Sequence, residues 1–178
     1  MTPEELKSLI RTVPDFPEPG IQFRDITTLI GHGVGLKASI AHLAKRVDAS
    51  GAQAIAGMEA RGFIFGAAVA VELGLGFIPV RKPGKLPIET IGIDYALEYG
   101  TDRLEIDPSA IYADQYVVIV DDLIATGGTA LAAAQLLRQA GARVSHAHFV
   151  IDLPELGGAE KLRAADIMVD ALMDFEGA

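Results

Sequence analysis

No cysteine occurs anywhere in the chain, which excludes disulfides, thiolate metal sites and a cysteine nucleophile. Long apolar runs are missing too. Each is broken well short of the ~18 residues needed to cross a bilayer, so no membrane partner is expected. The opening MTPEELKSLI is acidic and polar and lacks the basic-then-apolar order of a signal peptide; the cytoplasm is the expected location. Basic residues are scarce: 15 Lys and Arg against 24 Asp and Glu leave a net charge of −9. That argues against nucleic acid as a partner, because duplex binding depends on a positive face. Anionic small molecules remain open, since they need only a local pocket of donors. Two phosphate-binding patterns are absent as well: G-x-x-x-x-G-K-[ST], and G-x-G-x-x-G after a strand.

What remains is globular in composition, with 50% apolar and 22% charged residues over 178 positions, enough for one α/β core. Thr2, Pro3 and Glu5 read as a helix start with a capping box, followed by an apolar stripe at Leu6, Leu9, Ile10 and Val13. Residues 16–23, FPEPGIQF, read as a loop because Pro17, Pro19 and Gly20 punctuate them. Helices are predicted over 36–47, over 60–74 with a stop at Gly74, and over 128–141. Strands are predicted over 52–57, 77–81, 116–121 and 142–152, with a short helix and a last strand near 167–172. Residues 82–105 carry Pro83, Gly84, Pro87, Gly92 and Gly100 among alternating apolar residues and read as a hairpin flap. Strands alternating with helices predict a doubly wound parallel sheet in a single domain spanning 1–178.

The chemistry concentrates in VVIVDDLIATGGTA, residues 117–130. An apolar strand runs into Asp121 and Asp122, then into Ala125-Thr126-Gly127-Gly128-Thr129 and a helix. In open α/β sheets ligands sit beyond the carboxyl ends of the strands. Amides at the start of that helix suit a phosphate, with the positive end of the helix dipole behind them. The carboxylates upstream suit neutral hydroxyls, as of a ribose, or a hydrated Mg²⁺. Paired aspartates or paired glycines alone are commonly just a turn; strand, DD, spacer, TGGT and helix together read as a cradle for a phosphorylated ribose.

This stretch resembles the phosphoribosyl diphosphate (PRPP) signature of the type I phosphoribosyltransferases. FPEPGIQFRDIT (16–27), EARGFIFG (59–66), RKPGKLP (81–87) and LEYGTDRLEI (97–106) are similar, in order, to segments of the adenine-specific branch of that family. The resemblance implies transfer of the 5-phosphoribosyl group from PRPP, with Mg²⁺, to adenine N9, giving AMP and diphosphate. It implies a hood over the base formed by residues 1–30, a flap at 82–105, and a homodimer. Mg²⁺ would be held mainly by PRPP and water.

Roles follow by the same resemblance. Ala125, Thr126, Gly127, Gly128 and Thr129 would cradle the 5′-phosphate, and Asp121 and Asp122 would take the ribose hydroxyls. Arg61 and Lys85 would meet the diphosphate, with Arg81 beside them in the one basic cluster of an acidic chain; which of Arg81, Lys82 and Lys85 makes contact stays open. Glu98 would handle the purine N7 proton, and Tyr99 would close over the site. Phe23 would stack on adenine, with backbone groups of Gln22 and Arg24 reading its edge. Gln22 departs from the apolar residue common in the family. The peptide Ala60–Arg61 is expected to be cis. His146 and His148 should share one face of a strand without forming a metal site. An oxo-purine substrate and a non-catalytic PRPP sensor are the competing readings.

Overall fold

The computed structural model describes residues 1–96 and 100–177. Helix α1 (Pro3–Lys7) has the expected capping box: the Glu5 N–H donates to Thr2 Oγ1, and the Thr2 N–H donates to Glu5 Oε2 at 2.8 Å. The apolar stripe does not stay helical. Strand β1 (Arg11–Pro14) pairs antiparallel with β2 (Gln22–Asp25), setting Val13 opposite Phe23, so β2 enters the last two positions expected to be loop. The β-branched pair Thr12-Val13 favours extended backbone, and the Arg11–Asp25 ion pair closes the end of the ladder.

Helices α2 (Thr27–Ile30) and α3 (Gly33–Ser50) lead to β3 (Ala54–Met58), α4 (Arg61–Leu73) and β4 (Gly76–Val80). As predicted, α4 stops at Gly74, which is left-handed at φ 66°. The hairpin β5 (Ile91–Ala96) and β6 (Thr101–Ile106) follows, then β7 (Val117–Ile124), α5 (Gly128–Gln139), β8 (His146–Asp152), α6 (Gly158–Arg163) and β9 (Met168–Asp174).

Five strands form one sheet in the order β4-β3-β7-β8-β9, and all its pairs are parallel. Its two faces bury different helices, as alternating side chains require. Ile55, Val118 and Val120 meet Leu43, Phe65 and Val69 from α3 and α4 on one face. Ala56, Ile119 and Phe149 meet Ala133, Leu136 and Leu137 of α5 on the other. The sheet is therefore doubly wound. The β5–β6 hairpin packs on the α5 side, where Leu104 and Ile106 are fully buried, and paired backbone bonds between Arg81 and Glu105 tie it to the end of β4.

Chain order reverses between β3 and β7, since β4 lies to one side of β3 and β8 to the other side of β7. A crevice opens at such a switch point beyond the carboxyl ends of the strands.

Candidate active site

Four segments meet at this crevice. Asp121 and Asp122 come from β7, which runs three residues further than the sequence indicated and ends at Ile124. The pair thus sits within the strand, and parallel pairing of Asp121 beside Phe149 fixes its register. Both aspartates are almost out of water, at 8% and 5% exposure. The Asp122 N–H donates to Asp121 Oδ1 at 2.9 Å. Burial pushes both carboxyls up, and the charge on Asp122 pushes Asp121 further. Arg61 acts the other way on Asp122: its Nε lies 2.8 Å from Asp122 Oδ2, while half of its side chain faces solvent. Arg61 is the first residue of α4, where the dipole disfavours a cation, so part of what holds it there is Asp122.

Beyond β7, Ala125–Thr129 turn into α5. Gly127 is left-handed at φ 75°, and the amides of Gly128, Thr129 and Ala130 open α5 with no intrahelical acceptor. With Met58 and Asp121 they line a cavity of about 120 Å³, far below the usual size of a drug-sized pocket and suited to a single small anion. Gly158 backs this loop. A Cβ there would stand 2.2 Å from the Ala125 carbonyl oxygen and 2.7 Å from the Gly127 nitrogen. Gly62 plays the same part under Asp121, since its Cβ would stand 2.3 Å from Oδ1. Gly62 falls in the EARGFIFG segment, whereas no sequence motif marks Gly158 as part of the site. Larger hollows of about 520 and 830 Å³ lie elsewhere, one between α3 and α4 and one near Tyr116 and Arg143. Neither touches the aspartates or the loop, so size does not locate the chemistry here.

The basic cluster is resolved into separate jobs. Arg81 Nε bonds Glu59 Oε2 at 3.0 Å, and the Lys82 N–H donates to the same oxygen at 2.9 Å. These two donors hold the Glu59 carboxyl below its usual range. Lys82 Nζ pairs with Asp102. Lys85 is exposed, with no ion pair among the described residues. The cis peptide lies at Glu59–Ala60, one bond before the expected Ala60–Arg61.

Phe23 is half-buried, with its ring edge-to-face against Phe16 at 5.3 Å. Gln22 pairs with Pro14. Arg24 turns its side chain to the C-terminal tail, donating from Nη2 to the carbonyls of Glu176 and Gly177 at 2.7 and 2.9 Å and lying over the Phe175 ring. Glu98 and Tyr99 lie outside the described residues. His146 and His148 do share one face, stacked at 6.2 Å.

A model of the phosphoribosyl transferase domain matches residues 30–175. The adenine phosphoribosyltransferase of Novosphingobium aromaticivorans is 76% identical over 177 residues, with 99% of each chain covered. That of Erythrobacter litoralis is 75% identical over the same length and coverage. Among solved structures, adenine phosphoribosyltransferase from Thermoanaerobacter pseudethanolicus superposes with a TM-score of 0.93 at 48% identity, covering 98% of this chain and 100% of that one. The Saccharomyces cerevisiae enzyme, complexed with an imino-altritol bisphosphate and adenine, gives 0.90 at 39% identity, covering 96% and 98%.

Proposed function

The chain belongs to the phosphoribosyltransferase family, in its adenine-specific branch, and from that membership we propose which residues carry each part of the reaction. The enzyme transfers the 5-phosphoribosyl group of PRPP to N9 of adenine, giving AMP and diphosphate through an oxocarbenium-like transition state. The observation that carries the assignment of roles is the junction at the switch point: a buried aspartate pair, its arginine and an amide-rich loop within one crevice.

Positive charge grows on the ribose and negative charge on the leaving diphosphate, so catalysis rests on positioning and electrostatics. Amides of Ala125–Thr129 hold the 5′-phosphate. Asp121 and Asp122 accept from the ribose hydroxyls and face the side where positive charge develops. Arg61 turns its solvent-facing guanidinium edge to the diphosphate, and Lys85, exposed and unpaired among the described residues, joins it. Arg81 shapes the strand end through Glu59. Carboxylate oxygens are the hard donors that Mg²⁺ takes, so the crevice fits a cation entering on the diphosphate, held mainly by PRPP and water. Bound there, it supplies neutralisation of the departing charge.

Phe23 stacks on adenine. Strand β2 pairs with β1 in a two-stranded sheet, which leaves its other edge for backbone groups of Gln22 and Arg24 to read the base. Glu98 takes the N7 proton and Tyr99 closes the site against water. Residues 1–178 form one domain with residues 1–30 as hood and 82–105 as flap, working in the cytoplasm. A second copy covers the apolar face between α3 and α4, where Val71 is 82% exposed beside Leu36 and Ile40.

Diphosphate release from PRPP and Mg²⁺ is measured with adenine, guanine, hypoxanthine and xanthine in parallel. Release with adenine alone, and its loss in Glu98→Ala, is the expected result. Release with an oxo-purine would overturn the reading of Gln22 and Phe23.

A further inference from the structure

A polar chain outside the roles above joins the flap hairpin to the phosphate loop. Lys82 Nζ pairs with Asp102 on β6. Tyr95 on β5 donates from its hydroxyl to Asp102 Oδ2 at 3.2 Å. The Tyr95 oxygen accepts from Lys82 Nζ at 3.5 Å and from Thr129 Oγ1 at 3.3 Å. The directions are fixed by valence. Asp102, beside an ammonium, is held below its usual range by that bond and as a carboxylate can only accept. The tyrosine proton therefore goes to Asp102, and the bond to Thr129 must use the threonine's proton.

Thr129 has one hydroxyl proton, and two acceptors want it. In the free enzyme it is donated to Tyr95. A phosphate dianion in the 120 Å³ cavity that Thr129 lines is acceptor-only, and a bond to it is charge-assisted and stronger than one to a neutral phenol. Both bonds cannot be made at once.

We propose that Tyr95 and Thr129 form a latch between the β5–β6 hairpin and the phosphate loop, that Asp102 and Lys82 hold the tyrosine in place, and that the substrate's 5′-phosphate opens it. Tyr95 is then a positioning residue for the transfer reaction. It adds one bond to the docking that the buried Leu104 and Ile106 and the Arg81–Glu105 backbone pair already give the hairpin. Loss of that bond when a phosphomonoester arrives loosens the hairpin, whose connecting residues include Glu98 and Tyr99. Phosphate occupancy and flap movement are thereby coupled through a single proton. The latch deepens the proposed role of Ala125–Thr129 and rests on it.

Amide hydrogen exchange of Ile91–Ala96 and Thr101–Ile106 tests the latch in the full-length enzyme, with ribose 5-phosphate as the probe. Saturating probe is expected to speed exchange there several-fold in the wild type. In Tyr95→Phe exchange is already fast and the probe adds nothing. The same variant should show a KM for PRPP lowered by roughly fivefold, the size of one neutral hydrogen bond, with kcat within about twofold. Slower or unchanged exchange in the wild type on adding the probe overturns the latch, as does a Tyr95→Phe KM that stays level or rises. The wild-type arm needs no variant to fold. Turnover of adenine by the same preparation tests the transfer reaction separately, so a failed latch is not confused with a failed function.

Discussion

Arg61 reaches the aspartate pair through Asp122 alone: Nε stands 2.8 Å from Asp122 Oδ2, and no ion pair is formed by Asp121 among the described residues. One carboxylate of the pair is therefore compensated and the other is not. Burial raises the Asp121 carboxyl well above its ordinary value. A raised native value means that the folded state binds more protons than the unfolded chain once pH exceeds about 4, the unfolded value. Stability then falls as pH climbs from about 4 to the native value, and the deficit stays complete above it.

Asp121→Asn removes that deficit while keeping an oxygen to accept the Asp122 N–H. We expect this variant to be more stable at pH 7 by about 1–2 kcal/mol, the scale of an uncompensated buried polar group, or roughly 2–8 °C in Tm for a chain of this size. Near pH 3 the two proteins should melt together. Affinity for PRPP should drop. Calorimetry across pH checks the first part; a gain that persists at pH 3 would show that charge is not the cause.

Gly158 supports the phosphate loop from behind by having no side chain. A Cβ 2.2 Å from the Ala125 carbonyl oxygen meets backbone, which cannot swing aside as a flexible side chain can. Gly158→Ala should therefore push Ala125–Gly127 into the cavity, raising the KM for PRPP at least tenfold while the adenine KM holds. A crystal structure with the loop unmoved, or an unchanged PRPP KM, would refute this.

Most of the sheet was legible because its central strands are buried on both faces and read as short apolar runs, β-branched in β7, while α3 carries helical periodicity, α4 stops at a glycine and α5 is rich in alanine and leucine. Beyond the capped start of α1, the first 25 residues were not. Leu6, Leu9, Ile10 and Val13 fit a helical stripe, but the chain turns after Lys7, and cross-strand partners 8 to 14 residues away make it a hairpin. Local pattern carries no trace of such partners. The site divides the same way. The aspartates and the TGGT turn are contiguous and stand out, whereas Gly158, Gly62 and Glu59 act through chain segments that meet only in the folded sheet. Asp102 was hidden for the same reason: one acidic residue in an acidic chain says nothing until Lys82 is beside it.

Lys85 and Arg81 are separable by experiment. Arg81 is engaged by Glu59, so Arg81→Ala leaves a carboxylate short of a partner and should lower Tm by roughly 2–4 °C along with activity. Lys85 is exposed and has no such tie among the described residues, so Lys85→Ala should leave Tm within about 1 °C and cut kcat/KM for PRPP about 10- to 100-fold, the cost of one charge-assisted contact. Equal Tm losses in both variants would count against this split.

The C-terminal tail is tied to β2 through one side chain, Arg24. Phe175 lies between Lys7 and Arg24, whose cationic groups sit 4.7 and 4.8 Å from its ring centre, and Arg24 also holds the Glu176 and Gly177 carbonyls. Arg24 is next to Phe23 in β2, so loosening the ring loosens the strand that is proposed to meet adenine. Removing an exposed cation–π contact costs on the order of 0.5–1 kcal/mol, and losing the tail's grip on β2 adds to it. Phe175→Ala should therefore raise the adenine KM about three- to tenfold and leave the PRPP KM where it was, because the phosphate loop lies on a different segment. Phe175→Tyr keeps the ring and should restore the adenine KM. A rise in both KM values in Phe175→Ala would mean that the tail acts on the whole fold and not on the base site.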